Sequence, residues 1–364
     1  MTNIFLTGGS GFMGKAIVAE LIDPASPLKP DLIRIFDLDE YQGPMDPRME
    51  PIRGDVRDYR QVSEACRNMD VVIHSAAIVD WGTKSEEEIL SVNVEGTRNI
   101  IQACKEQKIK FLVFTSSLDA VFSWKPLVYI DESIPYPEKH STSYCTSKYL
   151  AEKLVLSNSG DDLKACIIRP SDVYGEGDPY HIGSLLEMAK GGFYIRLGNG
   201  KSMCQHVYVG NIAYAHILAA HALLANNSAI AGNVYFITDG PGSNFFSFYD
   251  RIIEEAGYRI WPKNLWLPRG FAMMLGMLSE ILAILIRPIK RYTPKMNRFA
   301  VIYTCTGFTF NSEKARKDFG FVPKYSEEEA FDRTVAFYRK EKEIAKSISS
   351  KSYFLKFFEV HRPR

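Results

Sequence analysis

The sequence has no Cys-x-x-Cys pair, no histidine at zinc-ligand spacing from a cysteine, and almost no net charge. Cys66, Cys104, Cys145, Cys166, Cys204 and Cys305 are scattered. They are expected to be reduced core residues of a cytosolic compartment, not a disulfide framework or a metal site. Lys and Arg number 44 against 43 Asp and Glu, a formal charge of +1. That disfavours a general polyanion-binding role, so no nucleic-acid partner is expected. The N-terminus lacks the basic and apolar regions of a secretory signal and enters a strand pattern at Asn3. Internal repeats and low-complexity tracts are missing too. A composition 46% hydrophobic and 24% charged excludes wholesale disorder. The 364 residues suffice for one large domain or two smaller ones.

What is present is an alternation. Short apolar runs at 4–6, 32–36, 51–53, 71–74, 111–115 and 165–169 read as strands. Amphipathic stretches at 15–21, 92–105 and 144–156 read as helices between them. Strands spaced by helices predict an α/β fold, a Rossmann-type doubly wound parallel sheet that binds ligands at the carboxyl ends of its strands. After about Gly175 the pattern loosens, with helical pieces such as 211–224 among Pro, Gly and aromatic residues.

The stretch TGGSGFMG over 7–14 follows the first strand and opens the first helix, with Gly8, Gly11 and Gly14 in it. Absent side chains permit a sharp turn, close approach of a pyrophosphate and tight helix-on-strand packing. The helix N-terminus, with Phe12 and Met13 in its first turn, supplies N–H donors. Asp37 ends the second strand, where a carboxylate accepts both ribose hydroxyls and repels a 2′-phosphate, which favours NAD over NADP. Asp39 competes for that role. Asp55, beside Val56, either binds the adenine amino group or caps the next helix. Ala76 and Ala77 follow the fourth strand, small enough to let its loop lie against a cofactor.

Tyr144 and Lys148 are spaced i,i+4 and so share a helix face. An ammonium nearby is expected to draw the phenol's pKa toward neutrality, so that the phenolate takes an alcohol proton as hydride leaves carbon. The spacing alone is cheap: it recurs at Tyr149/Lys153 and Tyr338/Lys342. Tyr149 lies about 140° around the helix from Tyr144, so the two pairs cannot face one cofactor. Tyr338 is expected on an exposed, salt-bridged face. Ser117, with Ser116 in reserve, ends the fifth strand and is expected to donate to the substrate oxygen.

TGGSGFMG, Asp37, Ser117 and YCTSK resemble the extended short-chain dehydrogenase/reductases. YCTSKYLAEKLVL (from Tyr144), IRPSDVYGEGDP (from Ile168), HVYVGNIAYAHILAAHAL (from His206) and SEILAILIRPIKRYTPKMNR (from Ser279) resemble, more narrowly, the 3β-hydroxysteroid dehydrogenase/isomerase family. The likeness runs from about residue 2 to 338. It implies NAD-dependent oxidation of a 3β-hydroxyl on a hydrophobic steroid or sterol, possible isomerisation or decarboxylation afterwards, and a homodimer. Tyr144 is then general acid/base, Lys148 also holds the nicotinamide ribose, and Ser117 orients substrate. Asn93 either joins a proton relay or supports its helix. Pro170, Ser171 and Val173 sit beside the nicotinamide. The domains implied are a nucleotide-binding core over 1–174 and a smaller substrate region over 175–345, interleaved with the last core elements. A tail occupies 346–364. Alternative functions are a reductase of another bulky β-hydroxy or β-keto compound, a sugar-nucleotide epimerase or dehydratase, and a non-catalytic NAD sensor.

The run over 270–286 is apolar apart from Glu280, shorter than the roughly 20 residues of a spanning helix, and followed by Arg287, Lys290, Arg291, Lys295 and Arg298. Within a membrane-contact segment over 265–298, it is expected to rest in the interface of a cytoplasmic membrane surface, or to lid the substrate pocket. Cys145-Thr146-Ser147 stands between Tyr144 and Lys148 where some relatives carry a Pro-His pair, which puts an isomerase step in doubt.

Overall fold

The computed structural model describes residues 2–80, 84–286 and 296–360, with side chains through Ser347. Seven strands make the central sheet: β1 (Asn3–Thr7), β2 (Leu32–Asp37), β3 (Met49–Arg53), β4 (Val71–His74), β5 (Phe111–Thr115), β6 (Lys164–Pro170) and β7 (Val234–Ile237). Their spatial order is β7-β6-β5-β4-β1-β2-β3, and every neighbouring pair is parallel. The strand sequences explain this. VVIH of β4 is buried throughout, and FLVFT of β5 nearly so. Unbroken apolar runs of this kind suit strands covered on both faces. Winding reverses between β1 and β4, and a crevice opens there at the strands' carboxyl ends.

Helix α1 (Phe12–Ile22) starts three residues earlier than the apolar pattern implies, with Gly11 as its N-cap. The single helix expected over 92–105 is a composite. A short helix, Glu86–Leu90, passes through a π-helical turn, Ser91–Glu95, into α2 (Gly96–Glu106). The widened turn holds Asn93, whose amide bonds to a neighbouring loop. Such local π turns mark positions where a side chain is re-aimed. Helix α3 (Ser143–Asn158) is capped by Thr142, whose Oγ1 accepts from the Cys145 N–H at 3.1 Å.

Buried polar groups fix α3 against the sheet. Arg169 of β6 forms a fork on Glu152 of α3, at 2.7 and 2.6 Å, and the Tyr136 hydroxyl donates to Glu152 at 2.7 Å. Both charged side chains are essentially inaccessible. Removal of one partner leaves an uncompensated interior charge.

Beyond β6 lie a short strand, Asp172–Tyr174, then α4 (His181–Lys190), α5 (Val209–Leu224), α6 (Phe245–Glu255), α7 (Arg269–Ile286), α8 (Arg298–Cys305) and α9 (Glu327–Val360). Helix α5 packs on α1 and the sheet, and is buried almost all round. Helix α9 runs past 346 without a break. Tyr338 is not on an exposed face: it is 6% accessible, and its hydroxyl donates to the Asp178 carbonyl at 3.2 Å. The aromatic body of a tyrosine outweighs the charges around it in sequence. All six cysteines are free, five of them buried.

Candidate active site

A cleft of about 490 Å³ runs across the carboxyl ends of the strands. At its phosphate end, Gly8, Gly11, Phe12, Met13 and Gly14 line the wall. Gly8 has φ +77°, and a Cβ there would stand 2.6 Å from the Ala76 backbone nitrogen. A Cβ on Gly14 would stand 2.0 Å from the Gly8 carbonyl oxygen. These two glycines are therefore needed by the turn itself. A Cβ on Gly11 meets only the Gly8 carbonyl, at 3.3 Å, so its outer side is open to a ligand at the α1 N-terminus.

Asp37, Asp55 and Val56 line the other end. Asp37 Oδ2 accepts from the Ser10 N–H at 2.9 Å, which orients the carboxylate over the glycine loop. Asp39, its competitor, also lines the cleft; its N–H donates to Asp37 Oδ1. Arg57 grips the Asp55 carboxylate and lowers its pKa, first through their hydrogen bonds. Ala76 and Ala77 lie along the β4 loop, and Pro170, Ser171 and Val173 at the far side of the sheet. The hydroxyls of Ser116 and Ser171 are buried on the cleft wall without a partner among the described residues. Buried polar atoms of this kind mark where a ligand completes the bonding. The open glycine cradle, the oriented Asp37 and these two hydroxyls fit a dinucleotide.

In the middle of the cleft Ser117, Tyr144 and Lys148 converge. Lys148 Nζ donates to the Thr115 carbonyl at 2.9 Å and lies 5.8 Å from the Tyr144 ring centre. Burial lowers the Lys148 pKa to about 8. Tyr144 departs from expectation: its pKa is raised well above 10, chiefly by burial and then by Asp119. Low dielectric outweighs the ammonium, one of whose hydrogens goes to a backbone carbonyl. Tyr149 faces elsewhere, packed on Tyr136 and His140.

Asn93 is outside the cleft wall. Its side chain exchanges bonds with both backbone groups of Ile78 and donates to Ser147 Oγ at 2.9 Å. It ties the β4 loop to α3, so the supporting role is the one its geometry favours. His74, spanning Thr7 and Thr97, stays neutral because burial drives its pKa to about 3.

Five residues not foreseen in the sequence close the substrate end: Asp119, Asp172, Tyr180, His181 and Tyr303. Ser117 Oγ donates to Asp119 Oδ2 at 2.8 Å, and the Asp119 N–H donates back to it at 3.1 Å. The serine hydrogen expected to face substrate is therefore held by a carboxylate. Asp172 is fully buried and accepts from the hydroxyls of Tyr249 and Tyr303, each at 2.8 Å, and from His206 Nδ1 at 2.9 Å. His181 Nδ1 stands 3.3 Å from its other oxygen. An acid two residues past Ser117, and another between Ser171 and Val173 in an apolar run, were the available signals.

The profile of the 3-beta hydroxysteroid dehydrogenase/isomerase family matches residues 5–269. The mouse protein 3 beta-hydroxysteroid dehydrogenase type 7 is 35% identical, over 91% of this chain and 94% of its own. The sterol-4-alpha-carboxylate 3-dehydrogenase (decarboxylating) of Schizosaccharomyces pombe is 32% identical over 93% and 98%. Among solved structures, an epimerase from Methanothermobacter thermautotrophicus superposes with a TM-score of 0.74 at 17% identity, covering 95% and 94% of the two chains. A dTDP-glucose 4,6-dehydratase from Streptomyces venezuelae with NAD bound gives 0.68 at 20%, over 92% and 96%. These two share the fold. The extent and identity of the sequence matches go further: the chain belongs to the 3-beta hydroxysteroid dehydrogenase/isomerase family.

Proposed function

We propose that the chain is an NAD-dependent oxidoreductase that converts the 3β-hydroxyl of a steroid or sterol to the 3-ketone. The observation that carries this reading is the meeting of Ser117, Tyr144 and Lys148 in the same cleft as the glycine cradle and Asp37. Gly8, Gly11 and Gly14 with the α1 N-terminus hold the pyrophosphate. Asp37 holds the adenosine ribose and disfavours a 2′-phosphate. Lys148 holds the nicotinamide ribose; Ser116 and Ser171 bond along the nicotinamide side. The chemistry supplied by bound NAD is acceptance of a hydride from the carbinol carbon. Tyr144 takes the hydroxyl proton. In the free protein burial holds the phenol above its ordinary pKa, so Lys148 and the positive charge of bound NAD are what would draw its proton off.

Sugar nucleotides suit the substrate end poorly. The side chains there are Asp119, Asp172, Tyr180, His181 and Tyr303, with no arginine among the described residues to pair a diphosphate bidentately.

The apolar helix α7 supports peripheral attachment to a membrane. It is the one described helix long and apolar enough to cross, yet its middle is tied down. Glu280 pairs with Arg298 at 2.7 Å, and Gly276 lies against the backbone of Asn297 and Arg298. One face is thus docked on the body, while Leu278 and Leu285 are 50% and 69% exposed on the other. That geometry suits a helix lying in the interface plane. Arg287, Lys290, Arg291 and Lys295, expected to meet lipid phosphates, lie outside the described residues.

The test is a product assay by mass spectrometry. 3β-Hydroxysteroids, sterol 4-carboxylates and long-chain β-hydroxy acids are each supplied with NAD or NADP. Oxidation of a steroid or sterol with NAD is expected; turnover confined to the β-hydroxy acids overturns the reading.

A further inference from the structure

A second hollow, of about 900 Å³, opens where α7 begins, and it shares no lining residue with the catalytic cleft. One wall is the strand Leu127–Ile130; the end of α8 contributes Cys305, and Trp266 and Pro268 lead into α7. Apolar surface comes from Trp266, Met203 and Val128, the last 73% exposed. Lys201 and Arg269 are the charged side chains of its lining among the described residues, and no acid lines it. Neither of the two has a carboxylate partner there. Neighbouring arginines do: Arg196 pairs with Asp250 at 2.5 Å and Arg298 with Glu280 at 2.7 Å. Burial raises the pKa of the Cys305 thiol, and the Thr304 hydrogen bond and the Arg269 charge oppose the rise, so the guanidinium stands near that thiol.

Two unpaired cations on one acid-free hollow attract an anion, and both ammonium and guanidinium suit phosphate oxygens. The formal charge of the whole chain is only +1, so this attraction is local. A free phosphate leaves the apolar wall unused. A phospholipid uses both parts, and tryptophan, with an apolar body and a polar N–H, suits the boundary between them. The hollow also adjoins a helix whose outer face, from Phe271 onward, is apolar and exposed. A choline headgroup would bring a further cation against Lys201 and Arg269, so headgroups of net negative charge are selected.

We infer that this groove seats the phosphate of an anionic phospholipid between Lys201 and Arg269, with the glycerol end against Trp266, Met203 and Val128. This rests on the proposed interfacial position of α7 and deepens it, because the seat sets the tilt of the helix. Helix α7 has 18 residues, about 27 Å at 1.5 Å per residue. The groove lies at its N-terminal end; in the sequence, Arg287, Lys290 and Arg291 follow its C-terminal end. Both basic ends meet headgroups only when the helix lies parallel to the bilayer. End-on insertion carries one of them across most of a hydrocarbon core about 30 Å thick.

The test is flotation of the full chain with vesicles of phosphatidylcholine alone and of phosphatidylcholine with phosphatidylserine. Tighter binding to the serine-containing vesicles is expected. Lys201→Gln and Arg269→Gln each lower that affinity about fivefold, and the double variant about 25-fold. Both side chains are exposed, so the urea midpoint and the Kd for NAD stay unchanged. Lys153→Gln, the same charge change at an exposed site on α3, leaves vesicle affinity unchanged. The second readout is the rate of maleimide addition at Cys305, the one cysteine not fully buried, followed by peptide mass. Serine-containing vesicles slow it, whereas inorganic phosphate and glycerol phosphate do not. Equal protection by inorganic phosphate overturns the lipid and leaves a site for soluble anions. A double variant that keeps the parent's preference overturns the groove and assigns that preference to the basic run after α7. Failure of the α7 reading is read separately, as equal flotation of Leu285→Ala and the parent with neutral vesicles, whatever Lys201 and Arg269 do.

Discussion

At the nucleotide end of the cleft, the chain shapes the site with backbone; at the substrate end, with charged and phenolic side chains. Gly8 and Gly14 leave no room for a Cβ, and the ligand surface they make is a turn and a helix terminus. Asp119 and Asp172 instead sit in the interior and are satisfied by Ser117, Tyr249, Tyr303 and His206. Backbone cradles tolerate many substrates attached to one cofactor. Buried side-chain networks are specific and costly to disturb, because every member left unsatisfied carries its full desolvation penalty. The comparison separates a part that recognises the invariant partner from a part that discriminates.

Tyr144→Phe should sharpen the contrast most. The hydroxyl lies between the two ends, so its loss is expected to lower kcat by about 10³-fold, or about 4 kcal/mol, without weakening NAD. Rapid-mixing turnover and an NAD titration check both halves. Glu152→Ala comes next. It leaves Arg169 buried and unpaired beneath α3 and should cost about 3 kcal/mol of stability, read as a lower denaturation midpoint in urea. A loss below 1 kcal/mol would mean that the interior is wetter than this packing implies.

How much of this was legible depends on sequence distance. The glycine cradle, Asp37 and the Tyr144/Lys148 pair are local patterns whose elements lie next to one another in the chain. The parallel sheet followed from the same alternation. Asp172 is another matter: its partner Tyr303 is 131 residues away, and its partner Tyr249 is 77 away. No periodicity connects them. The π turn at Ser91–Glu95 was likewise hidden, since a helix with one extra residue per turn keeps a helical pattern. Tyr338 misled because charged neighbours mark an exposed helix face, whereas its ring is buried and its hydroxyl donates to the backbone carbonyls of Gly175 and Asp178.

Asp37→Ala breaks the nucleotide end selectively. It removes a carboxylate already oriented by the Ser10 N–H. The preference for NAD over NADP should fall by about 2 kcal/mol, roughly 30-fold, the worth of a hydrogen bond to a charged group. The ratio of kcat/KM values for the two cofactors measures this directly. An unchanged ratio would assign the ribose to Asp39.

The smallest expected effect lies outside the cleft, on α7. Leu285 is 69% exposed, while Ala272 and Gly276 on the same helix are buried. Leu285→Ala should therefore leave folding stability and NAD binding unchanged. If the exposed face enters the acyl boundary, the same change removes about 1–2 kcal/mol of apolar transfer energy, roughly tenfold in affinity for phospholipid vesicles. Flotation of the full chain with neutral vesicles measures it. Equal flotation of the variant and the parent would mean that α7 covers the substrate path and does not rest in lipid. In that case the KM for a water-soluble steroid, not vesicle binding, is what Leu285→Ala would change.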